Sequence, residues 1–127
     1  MSAMTKEELI AFSDTLAGAT HDCPFEEDFE TTVLRHGSTG RWFGILLRAP
    51  KKAVGREGEG SVECINLKSK PEDSFVLREM FPDVYPAYHM NHYHWITLPL
   101  DGDLPRELFF TLIEKSYTLT KKKTKTE

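Results

Sequence analysis

The chain has 127 residues, 39% of them hydrophobic, which is enough for one buried core and excludes a second domain of ordinary size. A formal net charge of -4 at pH 7 argues against a surface built throughout to hold a polyanion. The charge is nevertheless polarised: residues 1–30 carry eight acids against Lys6 alone, net -7, and residues 115–127 carry five lysines against Glu127, net +4.

"TKEELIAFSDTL" opens with Thr5 three residues before Glu8, a capping-box pattern, and sets Leu9, Phe12 and Leu16 on one stripe, which predicts a helix over about residues 5–17. The acidic run Glu26–Glu30 has no EF-hand spacing and reads as solvated chain leading into a strand. "TTVLRHG", "STG" and "RWFGILLRA" read as a hairpin, two β-branched and aromatic runs joined by a glycine-bearing turn. "APKKAVGREGEGS" follows as a charged, glycine-rich connection, and "SVECINLKS" resumes the alternation of a strand. A proline and two acids head "KPEDSFVLREMF", with Phe75, Val76, Leu77 and Met80 behind them, so a second helix is predicted to stop near Pro82. "PDVYPAYHMN" is too proline-rich for regular structure, "HYHWITLPL" is a strand halted by "DGD", and "LPRELFFTLIEKSYTL" places Leu108, Phe109, Leu112 and Ile113 at helical spacing. The order predicts an α+β domain over residues 1–120, an antiparallel sheet with helices packed on one face, followed by a basic, frayed tail at 121–127.

Strand alternation predicts which side chains face the helices. Phe43, Ile45 and Leu47 form one set, with Arg41 aligned to it and Trp42, Gly44 and Leu46 opposite. Ile65, Leu67, Ile96, Leu98 and Leu100 point inward, leaving Cys64, Asn66, Lys68, Tyr93, Trp95 and Thr97 on an open second face with both tryptophans. Aromatic and basic groups together on such a face suit base stacking or partner docking; a terminal helix or loop folded over it would bury both indoles in a second small core instead.

Cys23 and Cys64 lie 41 residues apart with no partner at ligand spacing, so a zinc ribbon is excluded and reduced thiols are expected. The N-terminal "MSAMTKEELIAF" lacks the apolar stretch of a secretory signal and no apolar run approaches the ~20 residues of a membrane span, which leads to an expectation of a soluble, cytoplasmic protein. His92 and His94, two apart in the predicted strand, would project from one face, and such a pair can chelate. Zinc or iron needs a third ligand, and His89 sits in an irregular segment with no fixed position, so no metal and no cofactor are assigned. No G-x-S-x-G, placed nucleophilic cysteine or phosphate-cradling glycine loop accompanies the histidines, and the expectation is a non-enzyme.

Residues 65–117 resemble the MmcQ/YjbR family, through "INLK", the proline-rich "YPAYHMN", "HW" before a strand ending "LDG", and "LIEKSY"; "HGSTGRWFGIL" extends the likeness upstream. The resemblance implies a compact frataxin-like (CyaY-like) α+β fold and a double-wing mode of DNA binding. Arg41, Asn91, His94 and Trp95 match the family's polar and aromatic signature, whereas His92 replaces a customary lysine or arginine and removes a fixed charge. Residues 48–61 carry Arg48, Lys51, Lys52 and Arg56 against two glutamates, a net +2 loop that would serve as a phosphate-contacting wing, with Lys68 on the sheet and Lys121, Lys122, Lys123 and Lys125 as an electrostatic arm. Three functions are thus expected to compete: weak, salt-sensitive DNA binding through these residues, protein interaction through the Trp42 and Trp95 face by a monomer or weak homodimer, and metal binding by the histidines.

Overall fold

Thr5 starts the first helix, α1 (Lys6–Ser13), by closing the reciprocal cap its sequence announces: its hydroxyl accepts the Glu8 N–H at 3.1 Å and the Glu8 carboxylate accepts the Thr5 N–H at 3.2 Å. The structure, a computed structural model, describes residues 4–121; the expected tail from 122 onward lies outside the described residues. The Arg106 guanidinium also donates to Glu8, and with the Thr5 bonds holds that carboxyl down at about 2. Helix α1 ends at Ser13, four residues short of the expectation, because the chain then turns through Gly18 (φ 73°) into a strand the sequence had not announced.

That strand, β1 (Ala19–Asp22), is an edge strand with a half-buried alanine and three exposed residues, so it shows no hydrophobic alternation. Pairing with β2 (Thr32–His36) holds it, helped by the Arg35 guanidinium forked onto Asp22 at 2.9 and 3.0 Å. The hairpin partner β3 (Trp42–Pro50), then β4 (Ser61–Lys68), β5 (Tyr85–Pro86) and β6 (Trp95–Pro99) complete a sheet of order β1-β2-β3-β4-β6-β5 in which every neighbouring pair is antiparallel. Helix α3 (Arg106–Leu119) buries Phe109, Leu112, Ile113 and Tyr117 against this sheet, beside Leu9 of α1 and Leu77 of α2 (Pro71–Met80). The expected α+β architecture with helices on one face is therefore the one observed.

Strand β3 departs from the predicted alternation. Leu34 pairs with Gly44 but Arg35 pairs with Trp42, so Phe43 is an extra residue in a β-bulge. Phe43 keeps its predicted place under α3, packed edge-on to Tyr117 and tilted against His36. Beyond it the faces exchange: Gly44 and Leu46 turn to the helices, while Ile45 and Leu47 turn to the other side, and Arg41 is exposed. Glycine at 44 leaves room for the leucines packed on it: a Cβ there would stand 2.8 Å from Leu34 Cδ1 and 3.4 Å from Leu67 Cδ2, so the Leu34 side chain would have to shift. The bulge is stabilised from α3. The buried Ser116 hydroxyl donates to the Phe43 carbonyl at 2.6 Å and accepts the Lys68 N–H at 2.9 Å, so the backbone groups freed by the irregularity are satisfied.

The second face is not open. The connection 51–60 begins as a 3-10 turn (Lys51–Val54), and with the segment after α2 it folds over the sheet end, where Ala49, Val54, Val62 and Cys64 make a small second core flanked by Tyr85 and Tyr88. Burial there pushes the Cys64 thiol up to about 12. Both indoles remain half-buried, toward the other end of the sheet.

Candidate functional site

Where the covering stops, the second face holds a trough of about 400 Å³. Trp42, Ile45 and Leu47 of β3 and Asn66 of β4 form its floor. Phe25, Asp28 and Thr31, from the connection between β1 and β2, make one wall, and His89 and Met90, from the connection between β5 and β6, make the other. The bulge at Phe43 is what puts Ile45 and Leu47 here rather than under the helices.

Asp28 builds its own wall. Its Oδ1 accepts the N–H groups of Glu30 (3.0 Å) and Thr31 (3.1 Å), and its Oδ2 accepts the Thr31 hydroxyl, bonds that favour the ionised form and hold the carboxyl below its ordinary range. The loop so fixed presents Phe25 at right angles to Trp42, with ring centroids 6.2 Å apart. The same indole carries the Arg35 guanidinium carbon 5.8 Å from its centroid.

The opposite wall hangs from a buried polar triad. Asn66 and Thr97 face each other across β4 and β6, both fully buried. The Thr97 hydroxyl donates to Asn66 Oδ1 and accepts the Tyr88 N–H at 2.8 Å, while Asn66 Nδ2 donates to the Tyr88 carbonyl at 2.9 Å. Tyr88 is thereby clamped through both backbone groups, and the next residue, His89, takes φ +67°, the left-handed region that side chains other than glycine rarely occupy. Its ring packs against Tyr88, tilted by 36° with centroids 4.0 Å apart. Strained backbone at a recess is where function concentrates.

The sequence-predicted residues divide into two groups at opposite ends of the sheet. Arg41, Lys68, Asn91, His94 and Trp95 lie together, since Lys68 pairs with Trp95 and the His94 carbonyl accepts the Ser69 N–H. Arg48, Lys51, Lys52 and Arg56 lie at the far end, where Pro50 pairs with Ser61. Ten residues of strand from Arg41 to Lys51 place them roughly 30 Å apart. The predicted strand from His92 starts later than expected: residues 91–94 form a turn, so His92 and His94 do not project from a strand face. Asn91 organises that turn, its Oδ1 accepting the N–H groups of Tyr93 and His94 and its carbonyl that of Trp95. Among the described residues no group of three His, Cys, Asp or Glu side chains converges as a metal site would require.

At the wing end, tertiary structure changes the charge that the loop carries alone. Arg56 donates to both oxygens of Asp83 at 2.8 and 3.3 Å, to Asp101 at 2.7 Å and to the Val54 carbonyl at 2.7 Å, and these carboxylates push its pKa up. Arg48 pairs across the strands with Glu63 and lies 3.8 Å from Glu30. Lys52 is exposed and Lys51 half-buried, and among the described residues neither has a carboxylate within ion-pair distance.

Sequence reasoning missed Phe25, Asp28, Thr31 and Met90, and assigned Ile45 and Leu47 to the core. The available signal was the pair of phenylalanines inside the acidic run, Phe25 and Phe29, which are 40% and 81% exposed. A second apolar surface runs along α2, where Phe75, Val76 and Met80 are exposed.

One antiparallel sheet, helices on one face and a lined trough beside a small second core on the other define a compact single-sheet α+β domain. The chain belongs to the YjbR family, whose model matches residues 14–119. It is 33% identical over 118 residues to the Bacillus subtilis protein YyaQ, covering 93% of this chain and 99% of that one. A crystal structure of a Pseudomonas syringae protein superposes with a TM-score of 0.85 at 36% identity, covering 93% of this chain and all of that one (100%). The Deinococcus radiodurans protein DR2400 superposes at 0.75 with 32% identity, over 98% and 86% of the two chains. Among the described residues no helix is long and apolar enough to cross a membrane.

Proposed function

We propose that this domain is a protein-binding module, not an enzyme, and that a segment of a partner chain lies in the trough on the second sheet face. One observation carries the reading: the trough floor is apolar apart from Asn66, whose amide is hydrogen-bonded within the sheet, its wall has an ionised carboxylate, and it is lined by no lysine or arginine. Glu26 and Glu27 add exposed charge to the same loop. A polyanion approaching Trp42 would meet these exposed acids at close range, whereas a peptide would gain apolar burial on Phe25, Leu47 and Met90.

DNA binding at the far end of the sheet is the second reading, favoured by Lys51 and Lys52, whose charges no carboxylate neutralises among the described residues. It loses Arg56 to Asp83 and Asp101, so two lysines with Arg48 would carry it, and the affinity would be low and steep in salt.

Selection of a random peptide library on the immobilised full chain separates the two. Recovered peptides should lose binding to Phe25→Ala and Met90→Ala and retain it with Lys51→Glu/Lys52→Glu. The protein-binding reading is wrong if no trough-dependent peptide is recovered; a mixed-sequence duplex that then binds with a salt slope abolished by the double lysine reversal would put DNA in its place.

A further inference from the structure

We propose that the trough recognises a cationic side chain, arginine or lysine, carried by the segment that enters it; the inference deepens the protein-binding reading and rests on it. Three features of the walls converge on a cation. Phe25 and Trp42 stand at 88°, so two π-systems border one corner of the recess, and cations are drawn to aromatic faces. Asp28 lines the same recess, and after accepting two N–H groups on Oδ1 and one hydroxyl on Oδ2 it keeps an unused lone pair on Oδ2. Glu26 and Glu27, both exposed, extend the negative charge along the approach.

The chain already uses this chemistry on itself. Arg35 lies over the Trp42 ring while Asp22 grips it in a fork, so one guanidinium is held between an indole and a carboxylate a short distance along the sheet. Phe25 and Asp28 reproduce the pairing of ring and acid on the trough side, where none of the lining residues is a lysine or arginine and the nearby Lys6 ammonium is engaged by the Glu30 carbonyl. A purely apolar segment would desolvate Asp28 without compensation, and an acidic one would be repelled; a basic side chain flanked by apolar ones satisfies floor and wall together.

The probe is the blocked peptide acetyl-Gly-Leu-Arg-Leu-Gly-amide, compared with the same peptide carrying citrulline, in which a neutral urea replaces the guanidinium at nearly constant shape. Each is titrated to millimolar concentration into the ¹⁵N-labelled full chain. The Trp42 indole N–H and the Met90 amide report the trough, and the Trp95 indole N–H serves as reference. The arginine peptide should shift the trough signals saturably, with the citrulline peptide roughly tenfold weaker. Asp28→Asn, which keeps the Oδ1 acceptor of the loop, should remove most of that ratio, and Phe25→Leu, at an exposed position, should reduce it without unfolding the chain. Equal affinities for the two peptides would overturn the cation while leaving peptide docking intact. An absence of trough shifts with either peptide, or arginine-dependent shifts confined to Glu57 and Glu59, would also overturn it, and the library selection then decides separately whether the trough binds peptide at all.

Discussion

Replacing Thr97 by valine removes one oxygen from the middle of the sheet and should free Tyr88, 9 residues away in sequence, and with it the trough wall at His89 and Met90. The hydroxyl is fully buried, donates to Asn66 Oδ1 and accepts the Tyr88 N–H at 2.8 Å. Valine keeps the shape and leaves both partners buried and unpaired, at about 1–3 kcal/mol each, against which the added methyl returns about 0.8 kcal/mol. The expected net loss is about 1–5 kcal/mol, read from urea unfolding at constant m-value. Thr97→Ser is the control: it keeps the hydroxyl, loses the methyl, and should cost about 1 kcal/mol. The mechanism also predicts where the loss is felt. Tyr88 N–H should lose its hydrogen-exchange protection in the valine variant and keep it in the serine variant, because only the first frees the clamp on the His89 segment. If valine costs no more than serine and the Tyr88 amide stays protected, the triad is not what holds this wall, and the account of the left-handed His89 built on it is wrong.

Three further perturbations test other parts of the structure. Ser116→Ala leaves the Phe43 carbonyl and the Lys68 N–H without partners and should cost about 2–4 kcal/mol in the same assay, a loss under 0.5 kcal/mol implying that water replaces the hydroxyl at the bulge. His36 is buried between Phe43 and Tyr117 with Nε2 2.8 Å from Thr120 Oγ1, near Lys121 and Arg41, and burial holds its pKa below the ordinary value of 6.5. The unfolded chain therefore takes up the proton first: this contribution is fully present above about pH 6.5 and is lost as pH falls through that value toward the folded pKa, so His36→Phe should flatten the stability profile between about pH 5 and 7. Arg56→Ala should destabilise by about 1–3 kcal/mol, because it strands the half-buried Asp83 beside Asp101; a variant of wild-type stability would show Arg56 to be free for other work.

The elements most legible in the sequence were those whose signal is local. The capping box at Thr5, the proline-headed α2 and the inward positions of β4 and β6 each follow from a spacing or a terminal residue, and each appears where expected. Strand β1 has no such signal, because an edge strand with three exposed residues is defined by its partner rather than by its own pattern. The exchange of faces in β3 was hidden for a related reason. A bulge is set by what receives its freed backbone groups, and the receiver, Ser116, lies 73 residues away on α3. The candidate site inherits both blind spots: two of its floor residues follow the bulge, and one wall follows β1. Its aromatic member Trp42 was legible on the correct face, and His89 was visible only as a residue in an irregular segment.

Charge shows why a loop read in isolation points to a different partner from the same loop in its fold. Residues 48–61 carry a net +2 by themselves, and that value predicts phosphate contact. Folding brings Asp83 and Asp101 to Arg56, and Glu30 and Glu63 to Arg48, so two of the four positive charges face carboxylates before any ligand arrives. A phosphate would have to compete with a forked, partly buried carboxylate for Arg56, and it brings no better geometry than Asp83 already supplies. The acidic loop changes in the opposite sense: read alone it is a solvated spacer, but in the fold it stands over an apolar floor with one carboxylate fixed in place by the backbone. Salt distinguishes the two consequences. Contact through the lysines should weaken linearly in log salt, whereas a cation held between the exposed Asp28 and two rings should lose only the part due to a single charge and keep that due to apolar contact with Phe25, Leu47 and Met90. An interaction that vanishes on moving from low to physiological salt would therefore belong to the far end of the sheet, and one that persists would belong to the trough.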